Sequence, residues 1–336
     1  TRVRSSAASD VYKRQLMNRT ARAHTNIALI KYWGKADDKL RLPLMSSLSM
    51  TLDAFYTDTS VEKTDGENQF FLNNQQQTAA ASQRVFAYLK KLQARFHVTG
   101  NLIVKSVNHV PTSAGLASSS SAFAALAAAF CQCYDINIDL EDLSRLARIG
   151  SGSASRSVYG GFAVWQKGNS DETSYAYALD ETPTMDLHLL AVELNTKQKK
   201  ISSTYGMKDA QSSPFFRPWL ERNDSELNEM IKAIKSNDFT ALGQLAELNA
   251  NEMHAINLTA QPEFTYFEPQ TIQAIKLVEQ LRTEGIECYY TIDAGPNIKL
   301  LCQLRNSKDI IQRFSSEFNN VNIVNASFGP GITYLD

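Results

Sequence analysis

The stretch VPTSAGLASSSSAFAALAAAF, residues 110–130, joins a strand-like run at 102–110 to an Ala-rich run that reads as a buried helix from Ala117 to about Tyr134. Pro111 and Gly115 break the chain between the two. Gly115 allows a tight turn, and the small residues around it let the backbone approach a ligand. Four consecutive serines, Ser118 to Ser121, stand at the start of the helix. Free N–H groups and the positive end of the helix dipole make an anion site there, to which hydroxyls add donors. A phosphate suits it. No GK[ST] follows, so this is not a Walker loop, and GxGxxG is absent. The same residues also read as an Ala-rich core helix with a serine cap.

Upstream, the runs beginning at Arg22 and Ser47 alternate as two or three strands of an antiparallel sheet. Residues 78–96 carry Val85, Phe86, Leu89, Leu92 and Phe96 at helical spacing. Downstream, Asp139 is an N-cap for a helix ended by Gly150, and a strand follows at 162–165. The polar, Pro-containing segment 180–185 reads as a linker, which gives an N-terminal domain at 17–185 and a C-terminal domain at 186–336. Beyond it come a strand at 187–194, helices near 225–236, 239–257 and 269–284, and strands at 286–293 and 298–304. A helix near 307–318 and short terminal strands complete the chain. Helices and antiparallel strands cluster without strict βαβ alternation, which argues for an α+β protein and against a doubly wound sheet.

The 336 residues fit about two domains. With 43% hydrophobic and 21% charged residues the chain can bury real cores. Thirty-four Lys and Arg against 35 Asp and Glu leave a net charge of −1, so no global field holds nucleic acid or an acidic membrane. Any anion site must be a local concentration of charge. The longest apolar run, 122–131, is far short of the roughly 20 residues that span a bilayer. Cys131, Cys133, Cys288 and Cys302 form no CxxC pair and read as reduced, core-filling thiols of a cytosolic protein. Residues 1–16 are basic and serine-rich, without an apolar signal region, and read as a leader or non-native segment.

Three further segments carry chemistry. GSGSASRS, 150–157, sets Ser151 and Ser153 beside Arg156, whose planar fork suits a carboxylate or phosphate; it also reads as a flexible turn with a surface arginine. In IALIKYWGKADD, Lys31 and Lys35 are spaced one helical turn apart or on one face of a strand, with Tyr32 and Trp33 between them. They suit a diphosphate, or a solvated edge with an aromatic anchor. In TIDAGPNIKLL, Asp293 ends an apolar strand at a Gly-Pro turn, as a general base or as an Asx cap.

In order, KYWGK (31–35), PTSAGLASSSS (111–121), SGSASRS (151–157) and DAGPN (293–297) closely resemble the diphosphomevalonate decarboxylases of the GHMP small-molecule kinase superfamily. The glycine turn is shared across the superfamily, whereas the other three are far more specific to the decarboxylases. The resemblance runs from about Ala21 to the C-terminus. It implies a GHMP kinase fold, with a ribosomal-protein-like N-terminal α+β domain, a ferredoxin-like C-terminal domain and the active cleft between them.

It also implies ATP-dependent decarboxylation of mevalonate diphosphate to isopentenyl diphosphate, with release of ADP, phosphate and carbon dioxide. Under it, Asp293 lies next to the C3 hydroxyl as base or orienting acceptor, and Arg156 holds the substrate carboxylate with Asn26 nearby. Tyr32, Lys35, Ser151 and Ser153 contact the diphosphate, and Lys31 aids the developing charge. Gly115, Ser118 and Ser119 cradle ATP phosphates, and Ser203, chosen over Ser202 in KKISSTYGM (199–207), faces the reacting groups. No dense acidic metal cage is evident, so Mg²⁺ is expected on ATP phosphates and waters. The polar stretches 66–77 and 197–214 read as loops that close over substrate. A homodimer in the cytoplasm completes the expectation.

Overall fold

The computed structural model describes residues 20–110, 118–195 and 201–335. The leader 1–16 and Gly115 lie outside these.

β1 (Thr20–Ile30) and β4 (Ser47–Thr64) are the longest strands and the spine of the first sheet. The first six residues of β4 are buried without alternation, because both faces are covered. From Phe55 to Val61 it alternates, because one face opens to water. Between these two come only β2 (Lys35–Asp37) and β3 (Leu42–Pro43), a small hairpin. After β4 follow β5 (Gln69–Leu72), β6 (Gln75–Gln76) and β7 (Asn101–Asn108), and then β8 (Phe162–Trp165) and β9 (Ala176–Asp180). The sheet runs β6-β5-β7-β4-β1, with β8 pairing Ser47–Met50 of β4 and β9 pairing β8. All its pairings are antiparallel except β5 with β7.

Three helices cover one face. α1 (Ala79–Arg95) is capped by the Thr78 hydroxyl, and α3 (Leu140–Gly150) by the Asp139 carboxylate. α2 (Ser118–Cys133) lies between the sheet and α3, since Ala124, Ala125, Ala127, Ala128 and Ala129 are fully buried and allow close approach. Its serines divide. Ser121 turns inward, with its Oγ 2.8 Å from Thr57 Oγ1 on β4, while Ser118 and Ser119 stay half-buried at the helix start.

The second sheet holds β10 (His188–Glu193), β11 (Cys288–Ile292), β12 (Ile298–Cys302) and β13 (Asn322–Ala326), in the order β11-β12-β10-β13. Between β10 and β11 lie α4 (Ser203–Asp209), α5 (Phe216–Lys235), α6 (Phe239–Leu258) and α7 (Pro269–Thr283), with α8 (Leu304–Glu317) after β12. Ile27, Leu29, Leu48 and Met50 of the first sheet share one apolar core with Leu189 and Leu301 of the second and Met230, Leu242 and Ala246 of α5 and α6. The two halves are thus packed through a common interior.

Four expectations are corrected. The last strand, β14 (Thr333–Leu335), returns to pair with β1, so the tail of 186–336 belongs to the first sheet. Residues 69–76 are sheet-edge strands instead of a free loop, because Phe70 packs on the N-terminal core. Within 197–214, residues 203–209 are helical, nucleated by the Ser202 cap. α5 begins nine residues before the expected position, because Pro218 occupies its first turn, where a missing N–H costs nothing.

Candidate active site

Lys31 directly follows β1, in the segment that leads to the β2–β3 hairpin. Its ammonium lies 2.7 Å from Asp293 Oδ1 and donates to the Ala28 carbonyl at 2.9 Å. Lys31 is 2% exposed, whereas the Asp293 side chain, one residue past β11, is 26% exposed and is the open member of the pair. Burial pulls the Lys31 ammonium below the ordinary lysine value by more than Asp293 restores. For Asp293, burial works to raise the carboxyl, but Lys31 and then Lys299 outweigh it and hold the group below the usual carboxylate range. Asp293 is therefore ionised at neutral pH.

Arg156 projects from a 3₁₀ helix, Gly152–Val158, that the run of small residues allows after α3. It is 2% exposed. One Nη donates to Ser47 Oγ at 2.5 Å and the other to Asn26 Oδ1 at 3.3 Å, while its buried Nε has no hydrogen-bond partner. Asn26 is fixed in turn by donating to the Ser153 carbonyl at 2.9 Å and to Ser157 Oγ at 2.8 Å. Burial lowers the Arg156 pKa to about 10, against the pull of Asp293 and Tyr32, so it remains a cation at neutral pH. A guanidinium with an unmet donor has hydrogen-bonding capacity of the kind that suits a carboxylate.

The hydroxyls form a row. Ser119 Oγ at the start of α2 is 3.2 Å from Ser151 Oγ, which is 3.4 Å from Ser153 Oγ. Tyr32 borders them, its ring edge-on to Trp165 at 4.7 Å, and Gly152 is essential to that packing: a Cβ there would stand 2.8 Å from the tyrosine ring. Lys35 is paired at 2.8 Å with Asp38, whose side chain is 84% exposed, so an arriving anion can readily displace the partner. Ser202 caps α4, its Oγ accepting from Tyr205 N–H at 3.4 Å, while Ser203 is the half-buried first helical residue. Gly206 lets this helix sit against Trp33 and Tyr266, and Ile201, Met207 and Ala294 join Trp33 in one cluster, which sets α4 beside the Asp293 turn. Gly115 lies outside the described residues.

Sequence reading missed Ser47, Asn249, His254 and Lys299. Asn249 Oδ1 accepts from the Lys31 backbone N–H at 2.7 Å. His254 Nε2 is 3.2 Å from the Ile292 carbonyl, and burial lowers its pKa to about 3, so the ring is neutral and donates. Lys299 was visible as a lone cation in the apolar strand IKLLC. The others carry no sequence signal, because each acts through a distant backbone or side-chain partner.

A family model described as the diphosphomevalonate decarboxylase-like N-terminal domain matches residues 23–176, and one described as the mevalonate 5-diphosphate decarboxylase C-terminal domain matches 189–330. A diphosphomevalonate decarboxylase of Ganoderma lucidum is 32% identical across 92% of this chain and 84% of its own. This chain belongs to the diphosphomevalonate decarboxylase family. Among solved members, the Staphylococcus aureus enzyme is 44% identical, with a TM-score of 0.90 over 94% of this chain and 97% of that one. A structure described as a complex with MVAPP, AMPPCP and magnesium is 45% identical, with a TM-score of 0.88 over 94% and 98%. The two-sheet α+β architecture is thus that of the decarboxylase family and its GHMP kinase fold.

Proposed function

We propose that this protein catalyses the ATP-dependent decarboxylation of mevalonate diphosphate to isopentenyl diphosphate. The observation that carries the reading is the constellation of an ionised Asp293 on a buried Lys31 with the buried, incompletely satisfied fork of Arg156. Family membership and the bound ligands of the solved relative support it.

In this reaction the C3 hydroxyl oxygen attacks the γ-phosphorus of ATP, its proton passes to Asp293, and ADP leaves. The C3–O bond then breaks with its electrons on phosphate, while the C1–C2 electrons become the C2=C3 double bond and carbon dioxide departs. A loose phosphoryl-transfer transition state needs little early deprotonation. A carboxylate held below its usual range therefore serves as an orienting acceptor that receives the proton late. Lys31 offsets charge that grows beside it. Arg156, positioned by Asn26 and Ser47, grips the substrate carboxylate and fixes C1 relative to the leaving phosphate.

Tyr32, Lys35, Ser151 and Ser153 take the diphosphate, supported by the hydroxyl row and by the weakly held Lys35. Ser203 turns to the reacting groups, since Ser202 is spent as a cap. Ser118 and Ser119 stand half-buried at the positive end of α2, which fits ATP phosphates. Mg²⁺ is expected on the ATP phosphates and waters, where this hard ion is commonly held, so these residues would act on it by holding the phosphates that carry it. When bound, Mg²⁺ would neutralise charge on the phosphates that these residues hold. A cytoplasmic setting is supported by four buried free thiols, and a homodimer is the expected assembly.

The test is carbon dioxide release from carboxyl-labelled mevalonate diphosphate with ATP and Mg²⁺, against an ATP-free control. Release matched by ADP supports the decarboxylase. ADP without carbon dioxide would make the protein a kinase on this fold.

A further inference from the structure

α6 reaches the backbone at both members of the Lys31–Asp293 pair through buried side chains. Asn249, His254 and Asn257 are buried on it, at 1%, 2% and 0% exposure. Asn249 and Asn257 are two turns apart and share a face. Asn249 Oδ1 accepts the Lys31 backbone N–H at 2.7 Å, and Asn257 Oδ1 accepts the Trp33 indole N–H at 2.8 Å. The segment that carries Lys31 is thereby held to α6 at two points, Lys31 and Trp33. His254 Nε2–H donates to the carbonyl of Ile292 at 3.2 Å, the residue before Asp293.

Asn249 is itself oriented. Its Nδ2 donates at 2.6 Å to Glu226 Oε2 on α5, and Arg222 bridges Glu226 at 2.8 Å and Glu252 at 2.6 Å. An asparagine amide can flip, and the Glu226 carboxylate, which only accepts, selects the orientation in which Oδ1 meets the Lys31 N–H.

We propose that α6 is the positioning helix of the reaction: Asn249, oriented by Glu226, and His254 fix the two backbones whose side chains meet as Lys31 and Asp293. This rests on the function proposed above. None of the three residues touches a reacting atom in that scheme, so they are positioning residues. Their loss changes turnover by letting ammonium and carboxylate drift apart, and leaves substrate capture by Arg156 and the serines intact.

The test uses polarity exchange in the full chain. Asn249→Asp keeps an acceptor for the Lys31 N–H but sets a carboxylate against Glu226. Adding Glu226→Gln supplies an amide donor to the new carboxylate and restores one charge in the pair. Asn249→Asp should lower kcat by about 10- to 100-fold, as a displacement near 1 Å does, with KM for both substrates within about threefold. The double variant should recover to within about fivefold of the parent. A merely structural role would lower the melting temperature and leave kcat of the folded protein unchanged, and that result overturns the inference, as does a double variant no better than the single one. If Asn249→Asp does not fold, His254→Gln, which keeps a donor, should stay close to the parent while His254→Phe loses turnover; equal rates would overturn the inference. Parent protein that releases no carbon dioxide refutes the decarboxylase function, and this inference with it. A competent parent with indifferent variants refutes the inference alone.

Discussion

Lys31 and Asp293 stand 262 residues apart in the chain and 2.7 Å apart in the fold, the ammonium sealed and the carboxylate partly exposed. The ion pair ties the segment after β1 to the turn after β11 and so links the first sheet to the second. Breaking one side leaves the other charge buried and uncompensated, which is the costly way to lose such a pair.

Lys31→Met should move the acid limb of the kcat/KM profile to higher pH. With the lysine gone, the burial that works to raise the Asp293 carboxyl meets less opposition, so ionisation requires a higher pH. A pH–rate series on parent and variant reads this directly; superimposable acid limbs would separate Lys31 from the ionisation of Asp293.

Stability should carry the same signature. The depressed Asp293 pKa contributes stability that is present above the unfolded carboxylate value, about 3.9, and is lost as pH falls through the folded value. The lowered Lys31 pKa acts oppositely: the unfolded chain binds more protons, so stability rises with pH up to the unfolded lysine value near 10.4. Asp293→Asn deepens that lysine shift. Its melting temperature should therefore gain more between pH 7 and about pH 9.5 than the parent's does, as calorimetry at the two pH values would measure.

Arg156→Lys should cost on the order of 100-fold in kcat/KM for mevalonate diphosphate. A lysine cannot reproduce the fork that meets Ser47 and Asn26 together and still faces a carboxylate. Steady-state carbon dioxide release gives the number, and thermal melting shows whether the fold is kept.

Gly152→Ala tests the packing under the diphosphate row. The added Cβ would meet the Tyr32 ring at 2.8 Å and Trp165 at 2.9 Å, an overpacking worth about 1–3 kcal/mol. The displaced tyrosine should raise KM for mevalonate diphosphate more than KM for ATP; an equal rise would argue against a diphosphate role for Tyr32.

Local signals in the chain were read well. The helix cap at Asp139, the strand at 162–165 and the helix beginning at Phe239 depend on neighbours in sequence, and each formed where its signal stands. The motifs brought the reading to Lys31 and Asp293, which an ion pair joins, and to Arg156, which lies within reach of the Asp293 charge. Non-local placement was not legible. The return of β14 to β1 depends on an unpaired sheet edge at the far end of the chain. The Asn249 contact depends on a backbone donor 218 residues away. α4 looked like a loop because its Gly206, costly in an isolated helix, is needed for close approach to Trp33.

The most direct test of the central claim is turnover by Asp293→Asn, followed through both carbon dioxide and ADP. The account predicts a folded protein slowed by about 100- to 10,000-fold in both products, since the acceptor for the C3 hydroxyl proton is gone. Near-parental turnover from that folded variant would contradict it.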